Sequence, residues 1–258
     1  MEHRHIVVEG PLEHMTGDGG RRIAISNGAM LADPASIGNC SNAEVERWFE
    51  PNFWQARGEL APVTGGRGAA WFIGSGSDAW VLRHYRRGGA VARLTGDVYV
   101  WAGENRVRAF SEWRLLAHLA KQGLPVPDPI AACYRRAGLL YRCDLITRRI
   151  LDAHPLSARL ARAGLEAGTW RDVGTIVARL HAAGADHADL NAHNILLDAN
   201  NQVSVIDFDR GKLRVPGRWT SANLARLERS LRKVGRVLPA GRFTPADWRQ
   251  VLEGYASP

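Results

Sequence analysis

Lysine is almost missing from this 258-residue chain, occurring only at Lys121, Lys212 and Lys233. A phosphate clamp built on a lysine upstream of Lys121 is therefore excluded. The formal net charge of +8 and the pI near 10.0 rest on arginine instead. A basic balance of this kind suits a polyanion, an anionic membrane or a phosphate-rich substrate. Cysteine is also sparse: Cys40, Cys133 and Cys143 form an odd set without metal-ligand spacing. That excludes a disulfide framework and fits reduced thiols in a cytoplasmic protein. No apolar run approaches ~18 residues, so no membrane-spanning helix is expected. The opening MEHRHIVVEG lacks the apolar core of a signal peptide.

What is present concentrates in residues 187–210, HADLNAHNILLDANNQVSVIDFDR. The pattern His187-x-Asp189-x-x-x-x-Asn194 is followed by an apolar run and then by Asp207-Phe208-Asp209. That order and spacing match the catalytic loop and metal-binding turn of protein-kinase-like phosphotransferases. The chemistry accounts for the residue types. Moving a phosphoryl group from ATP to a hydroxyl needs a proton acceptor beside the hydroxyl and oxygen ligands for Mg²⁺. Asp189 is the candidate acceptor. Asn194 and Asp207 pair a neutral oxygen with a charged one, a donor set suited to a hard cation that keeps several waters. Asp198, Ala199, Asn200 and Asn201 carry hairpin-turn chemistry, which folds residues 195–197 back against residues 203–206 and gathers Asp189, Asn194 and Asp207. Each of these residues taken singly also fits an acidic turn without catalysis; the joint pattern is what points to phosphotransfer. His187 is expected to brace the loop rather than to move protons.

Upstream, residues 65–85 read as strand, turn and strand. Gly66 and Gly68 are the candidate positions for covering nucleotide phosphates, since glycine lets backbone N–H groups approach closely. With lysine excluded, an arginine must grip the α- and β-phosphates. Arg83, in Val81-Leu82-Arg83, occupies the matching strand, with Arg86 and Arg87 as alternatives. A helix is expected over residues 108–122, stopped by Gly123 and Pro125. Its Glu112, Leu115, Leu116 and Leu119 share one face. A carboxylate on an apolar face needs a partner. Pairing with Arg83 mirrors the ion pair that positions the nucleotide in kinases; stabilisation near the helix N-terminus is the other reading. Trp48, Phe49, Phe53 and Trp54, after a short helix capped by Ser41, are expected to pack under a small sheet rather than to stack on bases.

Two strands are expected at residues 130–134 and 139–145, then a helix from Leu156 and another capped by Thr169 and running to Gly184. No Ala-Pro-Glu follows Asp209, and the remaining chain is short for a peptide-binding lobe, so the expected acceptor is a small molecule or a lipid-borne sugar. A helix over residues 223–237 sets Leu224, Leu227, Leu231 and Val234 on one face, with Arg226, Arg229, Arg232, Lys233 and Arg236 around it. Such a helix packs by its leucine face, lies on an anionic membrane, or does both.

Several phrases together resemble the Kdo (3-deoxy-D-manno-octulosonic acid) kinases of the lipopolysaccharide core kinase group. They are VLRHYRRGG from Val81, GLPVP from Gly123, DLIT from Asp144, HADLNAHNILLD from His187 and IDFDRG from Ile206. The resemblance implies a protein-kinase-like α+β fold with a sheet-rich N-lobe, a helical C-lobe and ATP between them. The expected division is an N-terminal segment over residues 1–40, an N-lobe over 41–128 and a C-lobe over 129–258. It also implies ATP and Mg²⁺ as cofactors, Kdo linked to lipid A as acceptor through its 4-hydroxyl, and Asp189 as the active-site residue. The place of work would be the cytoplasmic face of the inner membrane, with contact to its anionic surface and none to nucleic acid. Two rival readings remain: a kinase for another sugar or an aminoglycoside, and a non-catalytic binder of anionic membrane or nucleic acid.

Overall fold

Strand formation starts in the stretch where the sequence offered no pattern. The computed structural model describes residues 14–15, 19–63, 70–86 and 97–257. His14–Met15 (β1), Arg21–Ile25 (β2) and Gly28–Ala32 (β3) form consecutive antiparallel pairs. Ile25 sits opposite Gly28, leaving Ser26 and Asn27 as the turn. Gly28 is required there by space: a Cβ would lie 1.9 Å from the carbonyl oxygen of Tyr134 on the neighbouring strand. The chain divides into two compact units, Met1–Trp113 with Pro129–Thr147, and Arg114–Asp128 with Arg148–Pro258. The mixed α+β class expected from the sequence is the one formed.

The first unit is built on one large sheet. Its further strands are Leu60–Pro62 (β4), Ala70–Ile73 (β5), Trp80–His84 (β6), Tyr99–Val100 (β7), Pro129–Ala137 (β8) and Leu140–Arg148 (β9). Among the described residues the order is β1-β2-β3-β8-β9-β6-β5-β4, with β7 also paired to β9. The two strands after Pro129 therefore sit in the middle of this sheet. Their near-continuous burial follows, since a central strand with both faces covered has no solvent side. The short helices Pro34–Ile37 (α1), Asn42–Arg47 (α2) and Pro51–Gln55 (α3) carry Ile37, Val45, Trp48, Phe53 and Trp54 into a core with Met30, Trp80, Leu82 and Ile146. The indole of Trp54 donates to the carbonyl of Trp48 at 2.8 Å, and the Trp48 and Trp80 rings lie 4.8 Å apart. The aromatic cluster is thus core, as expected. Ser41 caps α2 through the Glu44 N–H at 3.2 Å, a bond of the kind whose loss costs about 1 kcal/mol. Helix Arg108–Lys121 (α4) buries Phe110, Glu112, Trp113, Leu116 and Leu119.

The second unit carries most of the longer helices: Leu156–Arg162 (α5), Ala167–Ala182 (α6), Arg218–Gly235 (α7) and Pro245–Ala256 (α8). Helices α6 and α8 meet backbone to backbone. A Cβ at Gly174 would lie 2.0 Å from the Val251 carbonyl oxygen, and one at Gly254 would lie 2.0 Å from that of Arg171. The expected cap at Thr169 is not formed. The helix begins at Ala167, and Thr169 is buried inside it beside Trp170 and Val173. Burial of that face overrides a local capping preference worth about 1 kcal/mol. Short strands complete the unit: His154–Pro155 (β10), Ala185–Asp186 (β11), Ile195–Leu197 (β12), Val203–Val205 (β13) and Lys212–Leu213 (β14). They pair as β10-β12-β13 and β11-β14.

Candidate active site

The loop between β11 and β12 is held by its own polar groups. The β12–β13 hairpin forms in the expected register, with Ile195 opposite Val205 and Leu197 opposite Val203. Its turn is closed by Asp198, whose Oδ1 accepts the N–H groups of Asn200 and Gln202, each at 2.8 Å. Asn201 takes a positive φ of 60° there, which asparagine tolerates. This hairpin lays Ile206 against Asn194: the Ile206 N–H donates to the Asn194 carbonyl at 2.9 Å.

From that contact a closed ring of hydrogen bonds runs through the candidate site. The Asn194 amide Nδ2 donates to the carbonyl of Asp189 at 2.9 Å. The N–H of Asp189 donates to Nδ1 of His187 at 3.1 Å. Nε2 of His187 lies 2.9 Å from the carbonyl of Ile206, which returns to Asn194. Because Nδ1 accepts, the proton of the neutral ring sits on Nε2. Burial holds the His187 pKa below the ordinary value, against the pull of the Ile206 carbonyl, Asp207 and Asp189. His187 therefore acts as a neutral brace between the segment of Asp189 and that of Asp207. With its Nδ2 committed to Asp189, Asn194 keeps Oδ1 as its acceptor.

Asp207 itself stands at φ 64°, as does Arg210 at 63°. A non-glycine residue in the left-handed region costs of order 1 kcal/mol or more and persists where its surroundings impose it. The surroundings are Ile206, tied on both backbone groups, and Phe208, which is buried with its ring 4.7 Å from that of His187. Gly211 ends the turn, its N–H donating to the Phe208 carbonyl at 2.7 Å. One carboxylate and one amide oxygen held on adjoining segments fit a Mg²⁺ that takes its other ligands from water and phosphate.

Behind the loop lies a network that sequence reasoning missed. Asp186 accepts from Arg214 at 2.8 Å and from the buried Asn223 at 2.9 Å. Burial raises its pKa, but these two hydrogen bonds outweigh burial and hold it below the ordinary carboxylate value. An Asn on the inward face of an otherwise apolar helix stripe was the available signal. His181 is buried, with Nδ1 2.8 Å from the Tyr255 hydroxyl and its pKa pushed by burial to about 4.

In the first unit the expected pair forms. Arg83 on β6 and Glu112 on α4 are joined through Arg83 Nη2 and Glu112 Oε2. Tyr85 is a third member: its hydroxyl accepts from Arg83 at 3.0 Å and donates to Glu112. Burial raises the Tyr85 pKa well above the ordinary value, so it remains a donor. Beside them, His84 places Nδ1 2.6 Å from Asp144 and Nε2 2.7 Å from Asp97. Two carboxylate acceptors require both ring nitrogens to donate, and the Asp144 hydrogen bond leads in raising the His84 pKa. The signal for this pair was Asp144, an acid within an apolar strand. Gly66 and Gly68 lie outside the described residues.

Comparison with known proteins fits this geometry. Residues 51–255 match the sequence model of the lipopolysaccharide kinase (Kdo/WaaP) family. The chain belongs to this family. It is 51% identical to a 3-deoxy-D-manno-octulosonic acid kinase of Xanthomonas campestris pv. campestris (strain B100) over 188 residues, 72% of this chain and 74% of that protein. It is 49% identical to a 3-deoxy-D-manno-octulosonic acid kinase of Stenotrophomonas maltophilia (strain K279a) over 209 residues, 80% of this chain and 81% of that one. The match of this Kdo/WaaP family member includes Arg83, Glu112, Asp189, Asn194 and Asp207, since all lie within residues 51–255.

Proposed function

We propose that the chain is a Mg²⁺-ATP-dependent kinase that phosphorylates the 4-hydroxyl of Kdo attached to lipid A. The observation that carries this reading is the closed ring Asp189–His187–Ile206–Asn194 in a chain of the Kdo/WaaP family. A bound Mg²⁺ would neutralise the β- and γ-phosphate charge. Asn194 and Asp207 would hold it. Arg83, oriented by Glu112 and Tyr85, would contact the nucleotide phosphates, with Gly66 and Gly68 covering them. Asp189 would orient the sugar hydroxyl and take its proton as the oxygen attacks the γ-phosphorus and the bond to the β-phosphate oxygen breaks, leaving ADP. Base catalysis contributes about 10²–10⁴-fold, with positioning and charge neutralisation supplying most of the remainder. The neutral, buried His187 has no part in this proton path; it fixes where Asp189 points.

The enzyme would work peripherally at the cytoplasmic face of the inner membrane, on its anionic surface. The test is mass spectrometry of Kdo-lipid A after incubation with the protein, ATP and Mg²⁺. The expected product carries one added phosphate on Kdo, and Asp189→Ala abolishes its formation while the protein stays folded. Transfer to an aminoglycoside or another sugar, with none to Kdo-lipid A, would overturn the substrate assignment.

A further inference from the structure

Helix α7 resolves a question its sequence left open. Leu227 and Leu231 are fully buried and Trp219 nearly so. The apolar face of the helix is therefore used inside its own unit and is not available to enter a bilayer. What remains outside is charge. At 3.6 residues per turn, Arg218, Arg229, Arg232, Lys233 and Arg236 fall within about 100° of arc. All five are exposed. From Arg218 to Arg236 the stripe runs about 27 Å at 1.5 Å per residue. The only acid of the helix, Glu228, sits at the edge of the stripe and pairs with Arg232 at 2.6 Å. Exposed aliphatic side chains stand at both ends. Leu213 and Val215 precede the helix at 48% and 88% exposure, and Val237 follows it at 82%. At the C-terminal end of the stripe a shallow cleft is lined by Arg232, Gly235, Arg236, Phe243, Thr244 and Pro245.

We propose that this face of the second unit docks on an anionic phospholipid bilayer. The cations meet headgroup phosphates, and Leu213, Val215 and Val237 enter the headgroup–acyl boundary. Cations alone fit a nucleic acid equally well. Isolated exposed aliphatics at both ends of a basic stripe fit a bilayer interface, where electrostatic attraction and apolar burial add. This inference rests on the membrane-bound acceptor proposed above and names the surface that reaches it. The segment bearing Leu213 and Val215 begins directly after the turn of residues 207–211. Docking there holds the chain's metal-binding turn a few residues from the lipid surface.

The test is co-sedimentation of the full chain with vesicles of phosphatidylcholine alone and of phosphatidylcholine with about a third phosphatidylglycerol. Binding is expected only to the anionic vesicles. The triple variant Arg229→Glu, Lys233→Glu, Arg236→Glu should weaken it by about a hundredfold or more. The pair Val215→Ser, Val237→Ser should weaken it about tenfold. Unchanged binding by the valine pair, or equal affinity of the wild type for a DNA duplex, would overturn the bilayer assignment. All of these positions are exposed, and circular dichroism should report unchanged folding. Transfer to Kdo-lipid A dispersed in non-ionic detergent separates the two proposals. Both variants should keep wild-type turnover there, and losing it would overturn a purely docking role. If the wild type itself transfers nothing, the proposed function fails while the vesicle result stands on its own.

Discussion

His187 reaches across the candidate site to the carbonyl of Ile206, 2.9 Å from its Nε2, while its Nδ1 accepts the backbone N–H of Asp189 at 3.1 Å. One neutral ring thus sets the spacing between the segment of the candidate base and the turn of the candidate metal ligand. Replacing His187 with Ala takes the partner from a part-buried N–H and a part-buried carbonyl, each costing up to about 1–3 kcal/mol. The expected outcome is a stability loss of about 3 kcal/mol in urea unfolding and a fall in turnover of at least about a hundredfold. A variant as stable as wild type would show that the ring is not a brace.

Asp207 separates backbone from charge. Asn accepts the left-handed conformation at φ 64° as readily as Asp. Asp207→Asn should therefore leave stability within about 0.5 kcal/mol of wild type. Turnover should fall steeply, and calorimetry should show ATP binding no longer strengthened by Mg²⁺. Asp207→Ala loses the same activity and adds backbone strain of about 1 kcal/mol. Equal turnover in wild type and Asp207→Asn would remove Asp207 from the metal site.

The Arg83–Glu112 pair is asymmetric, with Arg83 partly exposed and Glu112 nearly fully buried. Removing Arg83 takes a cationic partner from the buried Glu112 carboxylate, which still accepts from Tyr85. Arg83→Ala should cost about 3–5 kcal/mol, the range for removing one partner of a buried ion pair. Arg83→Ala with Glu112→Gln should recover part of that stability but none of the activity. Thermal unfolding and ATP affinity read the two effects apart.

The two units should answer pH in opposite directions. His84 has a raised pKa in the fold, so its contribution is complete below the unfolded value of about 6.5 and is lost as pH rises through the folded value. His181 and His187 have lowered values. Their contributions are complete above about 6.5 and are lost on acidification, for His181 down to about 4. The His181 contribution is at most about 3 kcal/mol. Hydrogen exchange across pH should show strands β6 and β9 loosening on the alkaline side and helix α6 on the acid side. His84→Gln should flatten the alkaline limb alone.

The motif residues, their order and the hairpin that joins them were legible from the sequence, because every relation involved spans fewer than about 25 residues and follows from turn chemistry and strand alternation. The stripe of α4 announced a buried Glu112 for the same reason. The first strands, β2 and β3, were not legible: five-residue strands in a sheet core show neither a clean alternation nor a long apolar run. The Thr169 cap failed because a buried helix face outweighed a local signal.

Sequence alone determined that an acid, an amide and a second acid stand in the spacing of a phosphotransfer loop, and that no lysine precedes Lys121. Only the tertiary structure decided that His84 bridges Asp97 and Asp144, that Asp186 leans on Asn223, and that α7 turns its leucines inward and its cations out. The reason is physical. Periodicity reports which residues must be buried, but a buried charge takes its partner from whatever strand or helix the fold brings alongside, often many tens of residues away.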